Sequence, residues 1–241
     1  IKLQSTREKG IVMKQQSLPA ETEWQMNLGK AAIQRSCMYE LLGKVVLFPD
    51  LALAESLLNG KLYSRAEEYV HWINSRSGIF HQPLAFFKNF IEKHHQTDPE
   101  ILLAGLQEEY RRLFLDGDGC KLSFCETDYM QSVTEEEVVA SIEKAFVKNE
   151  FASWNKMFPI DHITNQFEFL KYLCSKESEA WQEGRIPKAK FWRREEREFA
   201  VQHLKQWGER FFAKMEEKTE HEAYQAIASL GKTFMQLENG Y

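Results

Sequence analysis

Phe158-Pro159-Ile160-Asp161-His162, followed by Ile163-Thr164-Asn165-Gln166-Phe167-Glu168-Phe169-Leu170, is the stretch on which the reading of this chain turns. Proline confines the residue before it to extended backbone, and Asp161 is a good N-cap acceptor, so a loop ends here and a helix begins. Ile163, Phe167, Leu170 and Cys174 then recur at helical spacing and are expected to pack inward. Asp161 and Glu168, seven residues apart, share another face. The expectation is an acidic helix mouth beside a buried stripe, a place to hold a partner.

Outward from that stretch the pattern stays helical. Residues 28 to 47 read as a first helix, with Leu28, Ala32, Met38, Leu41, Leu42 and Val45 on its apolar side. Phe48-Pro49-Asp50 ends it and caps a short second helix with Leu51, Leu53 and Leu57. A third, roughly 64 to 75, carries Tyr69, Trp72 and Ile73. Gln82-Pro83 opens a fourth with Phe86, Phe87 and Phe90. Asp98-Pro99-Glu100 is the strongest start signal, with a capping Asp, Pro at the first helical position and an acid in the first turn. That helix is expected to run to about Leu115, with Leu102, Leu106, Tyr110, Leu113 and Phe114 inward.

Asp116 to Tyr129 has glycines and no helical period and reads as a loop. Thr134-Glu135-Glu136-Glu137 matches a capping box ahead of Val138, Ile142 and Phe146. Residues 149 to 160 form a second loop. After it, Pro187 precedes one long helix through Phe191, Phe199, Leu204, Trp207 and Phe211, and a last helix carries Tyr224, Ile227, Leu230 and Phe234. No segment sustains strand-type alternation. The fold class is all-α: a single globular helical domain of roughly ten helices with two functional loops, over 28–241, with residues 1–27 as an N-terminal tail. The chain starts at Ile1 rather than Met, and the residues up to Met13 are set aside from fold reasoning.

Composition bounds the function classes. With 241 residues, 43% hydrophobic and 13% aromatic residues, 12 Gly and 6 Pro, the chain can bury a real core and is helix-rich rather than disordered. A net charge of -5 argues against a general nucleic-acid or anionic-membrane binder. No apolar run approaches the roughly 20 residues of a membrane span, and no charged-then-apolar leader opens the chain. A cytoplasmic protein with no membrane span and no nucleic-acid partner is expected. Cys37, Cys120, Cys125 and Cys174 are too few and too scattered for a disulfide framework and read as reduced thiols.

Several motifs imitate catalytic ones. Gly231-Lys232-Thr233 copies the end of a phosphate-binding loop, but Ala226 stands where its first glycine belongs, and no strand precedes it. Asp116-Gly117-Asp118-Gly119 begins like a calcium loop, but Cys120, Lys121 and Thr127 replace required groups. Cys120 and Cys125 have no second Cys or His pair at a matching spacing, so no metal is expected. His94-His95 closes a helix, where cations suit the dipole. Arg193-Arg194-Glu195-Glu196-Arg197-Glu198 mixes signs and reads as a solvated helix face. His162 beside Asp161 is the better catalytic suspicion, yet no nucleophile is tied to the pair, and a binding or structural role is preferred.

The central stretch resembles the Pro-x-Asp-His signature, followed by a Glu-Phe-Met-like helix, of the TorD/DmsD family of cytoplasmic redox-enzyme maturation chaperones. Pro159, Asp161, His162, Glu168 and Phe169 fit it. Tyr110-Arg111-Arg112-Leu113-Phe114 is similar to that family's Tyr-x-x-Leu-Phe motif. Phe124-Cys125-Glu126-Thr127-Asp128-Tyr129 takes the place of its Pro-Tyr-Glu-Ser-x-Tyr loop. Phe199, His203, Leu204, Trp207 and Phe211 match its later helix. The likeness spans about residues 28 to 235, with Phe158, Gln166, Leu170 and Phe124-Cys125 departing from the usual residues.

The resemblance implies a protein without catalysis or cofactor of its own. It would bind the twin-arginine signal peptide of a molybdopterin oxidoreductase precursor and hold that client for cofactor insertion, with translocase components as further partners. Such a leader has an arginine-bearing end and an apolar segment, so its receptor needs an apolar groove with carboxylates at one end. Tyr110, Leu113, Phe114 and Phe124 are candidates for the wall, Pro159 and His162 for the loop, and Glu126, Asp161 and Glu168 for the charge. Leu113 and Phe114 read equally well as core. The rival functions are a helical assembly scaffold that recognises no leader, and a nucleotide-hydrolysing enzyme, which would require a phosphate cradle.

Overall fold

The computed structural model describes residues 20–73, 78–115, 121–131 and 133–239. The N-terminal residues up to 19, the expected end of the third helix at 74–75, and the calcium-loop imitation Asp116–Gly119 with Cys120 lie outside the described residues. Among the described residues the chain forms ten α-helices and no strand, apart from one isolated antiparallel bridge. They are α1 (Ala20–Val45), α2 (Leu51–Leu58), α3 (Lys61–Ile73), α4 (His81–His94), α5 (Pro99–Tyr110), α6 (Glu135–Lys148), α7 (Ile163–Gln182), α8 (Ile186–Gln202), α9 (Leu204–Lys218) and α10 (Glu222–Asn239).

The expected start signals form. Asp50 accepts from the Leu53 amide at 2.8 Å, and Asp98 from the Glu100 amide at 2.8 Å with Pro99 at the first position. Thr134 and Glu137 make the reciprocal box, Thr134 N–H to Glu137 at 2.9 Å and Glu137 N–H to Thr134 at 3.3 Å. Each cap satisfies amides that the first helical turn leaves without partners.

The stripe read from the sequence builds the centre. α7 packs between α1 and α8, and Ile163, Phe167, Leu170 and Cys174 are all fully buried. Phe169, Leu173 and Ala180 are buried as well, so α7 is enclosed on most of its circumference, which is how a central helix differs from a surface one. α9 and α10 form the neighbouring pair, and α10 continues the packing onto α4. Gly231, the false phosphate-loop glycine, lies inside α10 at this seam: a Cβ there would stand 2.4 Å from the buried Phe212 ring. The motif is a close helix contact, and Lys232 beside it pairs with Glu216.

Four readings need correction. α1 begins at Ala20, eight residues ahead of the expected start, and Trp24 packs edge-on against Trp181 of α7 with ring centroids 5.5 Å apart. α5 does not run to Leu115 as one α-helix: Arg111–Leu115 is a π-helical turn. The long helix after Pro187 is two helices, α8 and α9, broken at His203 (φ -113°, ψ -81°), a residue without the ring constraint of proline or the freedom of glycine. Its side chain is drawn to partners on other elements, which periodicity along one segment cannot register.

The Arg193–Glu198 run is only half solvated. Arg194, Arg197 and Glu198 are exposed, whereas Glu195 and Glu196 are buried. Glu196 accepts from Arg35 of α1 at 2.9 and 3.0 Å and from Arg193 at 2.6 Å, and Arg35 also bonds Glu177 of α7. Burial alone would raise the Glu196 carboxyl, but the two guanidinium groups outweigh it and hold it well below the usual carboxylate range. Glu195 pairs with Lys148 at 2.6 Å and with Asn149 at 3.2 Å.

Candidate functional site

The signature loop and the loop before α6 are joined by backbone. Ile163 N–H donates to Phe124 O at 2.8 Å and Glu126 N–H to Asp161 O at 3.2 Å, which gives the antiparallel bridge between Cys125 and His162. Below the bridge, Asn165 in the first turn of α7 accepts from the Asn155 amide at 3.0 Å and donates to Pro159 O at 2.9 Å. An asparagine at that position does little for the helix and much for the loop folded back over it.

The capping role assigned to Asp161 falls to His162 instead. His162 occupies the N-cap with extended backbone, and its Nδ1 accepts from the Thr164 amide at 3.2 Å. Asp161 turns the other way and accepts from Thr127 twice, N–H at 3.1 Å and Oγ1–H at 2.9 Å. Its carboxylate therefore holds the short 3-10 turn Glu126–Tyr129 rather than the start of α7.

Glu126 also points inward and is only 1% exposed. It accepts from Gln166 Nε2 at 2.6 Å, and His203 Nδ1 lies 3.1 Å from both its oxygens. Gln166 spends its second N–H on Asp161 O at 3.2 Å. The pull of Glu126 on one side of His203 and of Ser141 Oγ, 3.2 Å from Nε2, on the other accounts for the break between α8 and α9. Gln166 entered the sequence reading only as a departure from the family pattern, and His203 only as a motif match. Their joint role depends on three elements meeting.

Above this lock the rings form a ladder. His162 stacks on Phe158 (centroids 4.4 Å, planes 13° apart) and faces Phe124 at 5.1 Å. Phe124 stacks on Phe114 at 4.4 Å, and Phe114 meets Tyr110 at 4.8 Å. The π turn starts directly after Tyr110 and carries Phe114, and a local change of helical register of this kind re-aims side chains. Phe124 and His162 open onto a groove of ≈ 700 Å³ together with Leu122, Tyr129 and Asp128.

Thus Tyr110, Phe114, Phe124 and His162 come together in one stack, with Glu126 and Asp161 beneath it. Leu113 is core, 2% exposed, and its carbonyl takes the Leu122 amide at 3.0 Å. Pro159 is exposed beside the stack, and Glu168 lies apart, paired with Lys171 at 3.2 Å. The acidic mouth does not form, because Glu126 and Asp161 satisfy buried donors. The charged rim of the groove is instead Lys121, Lys214 and Lys218 against Asp128.

Over residues 79–213, more than half of its length, the chain matches the model of the nitrate reductase delta subunit family. The chain belongs to that family. The delta subunit family is one of redox-enzyme maturation chaperones, so the resemblance read from the signature is borne out. The matched span holds the whole lock and ladder, from Tyr110 to Phe211. No curated protein and no solved structure matches the chain.

Within this family setting, two features bear on chemistry. Ser141, His203 and Glu126 line up as a nucleophile, base and carboxylate would. Ser141, however, lies in the interior of α6, whose amides are consumed by the helix and so offer no donor to a developing oxyanion, and its oxygen also takes Gln202 Nε2 at 2.7 Å. Cys125 is no better placed: burial, then the carboxylates of Asp161 and Asp128, push its thiol up to about 12. Among the described residues no group of three or more His, Cys, Asp or Glu side chains could hold a metal ion, and no helix is long and apolar enough to cross a membrane.

Burial pushes the His162 imidazole down to about 4, against the opposing pull of Asp161. The capping bond requires the same neutral form, since Nδ1 accepts only with its lone pair free. Between roughly pH 6.5 and 4 the unfolded chain gains a proton that the folded chain refuses, so stability falls as pH falls. The loss should reach roughly 3 kcal/mol once the pH is below the folded value. His162→Asn keeps a capping oxygen and removes the titration. Melting curves of the two proteins should converge on acidification, and a constant gap from pH 7 to 4 would exclude this account.

Proposed function

We propose that the chain is a cytoplasmic chaperone that binds the twin-arginine signal peptide of a molybdopterin oxidoreductase precursor and holds the client for cofactor insertion before export. Its role is binding rather than catalysis, with translocase components as further partners. The observation that carries this reading is the open groove at Phe124 and His162, built directly on the family's signature loop. Its size suits a few apolar side chains of a peptide rather than a whole leader.

The charge on its rim refines the reading. Lysines at 121, 214 and 218 repel an arginine pair, so the apolar segment of the leader is the part seated on Phe124, Leu122 and Tyr129, with the arginines outside the groove. Calorimetry against the leaders encoded near its gene tests this. Aspartate in place of one central leucine of the apolar segment should weaken binding about tenfold or more, while alanine for both arginines should change it less than about threefold. If no leader binds, the assembly scaffold without leader recognition becomes the better reading. If the arginine substitutions dominate, the seating in the lysine-rimmed groove is wrong.

A further inference from the structure

A second groove, ≈ 590 Å³, runs between α1, α7 and α8. Leu28 and Ala31 of α1, Trp181 of α7 and Val201 of α8 give it an apolar floor, with Val201 42% exposed. Its charge is one-sided: Arg35, Lys190, Arg193, Arg194 and Arg197 stand against Glu177 and Glu198. Arg35 and Arg193 are committed to the buried carboxylates of Glu177 and Glu196. Arg194 is held more loosely, 3.6 Å from Glu195 and from Glu198 and 5.5 Å from the centre of the Phe191 ring, and among the described residues Lys190 and Arg197 form no ion pair.

Lys190, Arg194, Arg197 and Val201 follow one another at helical spacing, so three cations and an apolar residue share one edge of α8. Like charges at such spacing destabilise the helix that carries them, and exposed cations return little stability. In a chain of net charge -5, this local excess of positive charge stands beside a floor on which Leu28 and Ala31 are half-buried and Val201 is exposed, and the fold itself draws little stability from it.

We infer that this groove receives an acidic amphipathic helix of a partner protein. The apolar side of that helix rests on Leu28, Trp181 and Val201, and its carboxylates face Lys190, Arg194 and Arg197. A helix fits because the lining has two parts, an apolar floor and a cationic edge along one side. A nucleic acid would need cations tracking a phosphate backbone and would gain little from leucine, alanine and valine. None of these residues belongs to the groove at Phe124, so the inference is independent of leader binding.

The test uses the full chain and a fluorescein-labelled peptide about five helical turns long, with leucine at i, i+3, i+4 and i+7 and glutamate elsewhere. It should bind, and a shuffled peptide of the same composition and a lysine-for-glutamate peptide should each bind about tenfold more weakly or worse. Lys190→Glu combined with Arg197→Glu should cost about tenfold, with melting unchanged because both side chains are exposed and, among the described residues, without an ion pair. Val201→Asp should weaken the floor contact in the same measurement, and Arg197→Gln covers the case in which the reversed charges disturb folding. Binding of the leader peptide should be unaffected by all of these. The proposal is overturned if the acidic peptide does not bind, if the shuffled peptide binds as well, if the α8 variants bind unchanged, or if a short DNA duplex displaces the peptide at lower concentration.

Discussion

Glu126→Ala should lower the stability of the protein by roughly 2–6 kcal/mol, because it strands two buried donors at about 1–3 kcal/mol each. The donors are Gln166 Nε2, now 2.6 Å from the carboxylate, and His203 Nδ1, at 3.1 Å. Water does not reach them easily: Gln166 is fully buried and His203 is 3% exposed. Glu126→Gln should fall between, since the amide keeps one acceptor oxygen and offers an N–H where a donor already stands. Urea unfolding measures both, with the midpoint moving and the slope constant if the native state stays intact. A loss below about 0.5 kcal/mol for the alanine variant would mean that Glu126 is a solvated surface acid.

The second large effect is expected at Arg35. Arg35→Met removes the shared partner of Glu177 and Glu196, both buried, and leaves Arg193 with part of the work. Breaking a buried pair from one side typically costs about 3–5 kcal/mol, because the remaining charge has lost its counterion and cannot recover its water. The pH dependence carries a sign. In the native protein Glu196 is held low, so its stabilising contribution is present above the ordinary carboxylate range and is lost as pH falls toward the folded value. In Arg35→Met, burial favours the neutral form of Glu177, and Glu196 keeps only Arg193 against the same pull. The gap between the two proteins should therefore narrow on acidification. Adding Glu177→Leu and Glu196→Met should recover much of the loss, as apolar replacements of whole buried charge groups do. A gap that is small at pH 7, or that widens in acid, would contradict the account.

These two clusters also mark how far the sequence could be read. Local chemistry was legible. The Asp50, Asp98 and Thr134 caps need only three or four consecutive residues, and the Ile163–Cys174 stripe needs one helix period. What could not be read is the direction a polar side chain takes when two candidate partners compete. Asp161 and His162 both have the chemistry of a cap, and the choice falls to His162 because Thr127, distant in sequence, claims the carboxylate. Glu195 and Glu196 look like their exposed neighbours until α1 and the end of α6 supply Arg35 and Lys148. The same limit explains the acidic groove that did not form. Glu126 and Asp161 do meet at the joined loops, but buried donors on α7 and at the α8–α9 break had the stronger claim on Glu126.

The reach of that last contact sets an order of events during synthesis. Glu126 and His203 are separated by 77 residues, so the loop that carries Phe124 cannot be locked until the ribosome has delivered the junction of α8 and α9. At about 5–20 residues per second this is a delay of roughly 4–15 s after the loop itself is made. Through that interval the nascent chain holds Phe124 and Glu126 without the geometry described above. A client offered before the junction of α8 and α9 is in place would meet this surface unlocked.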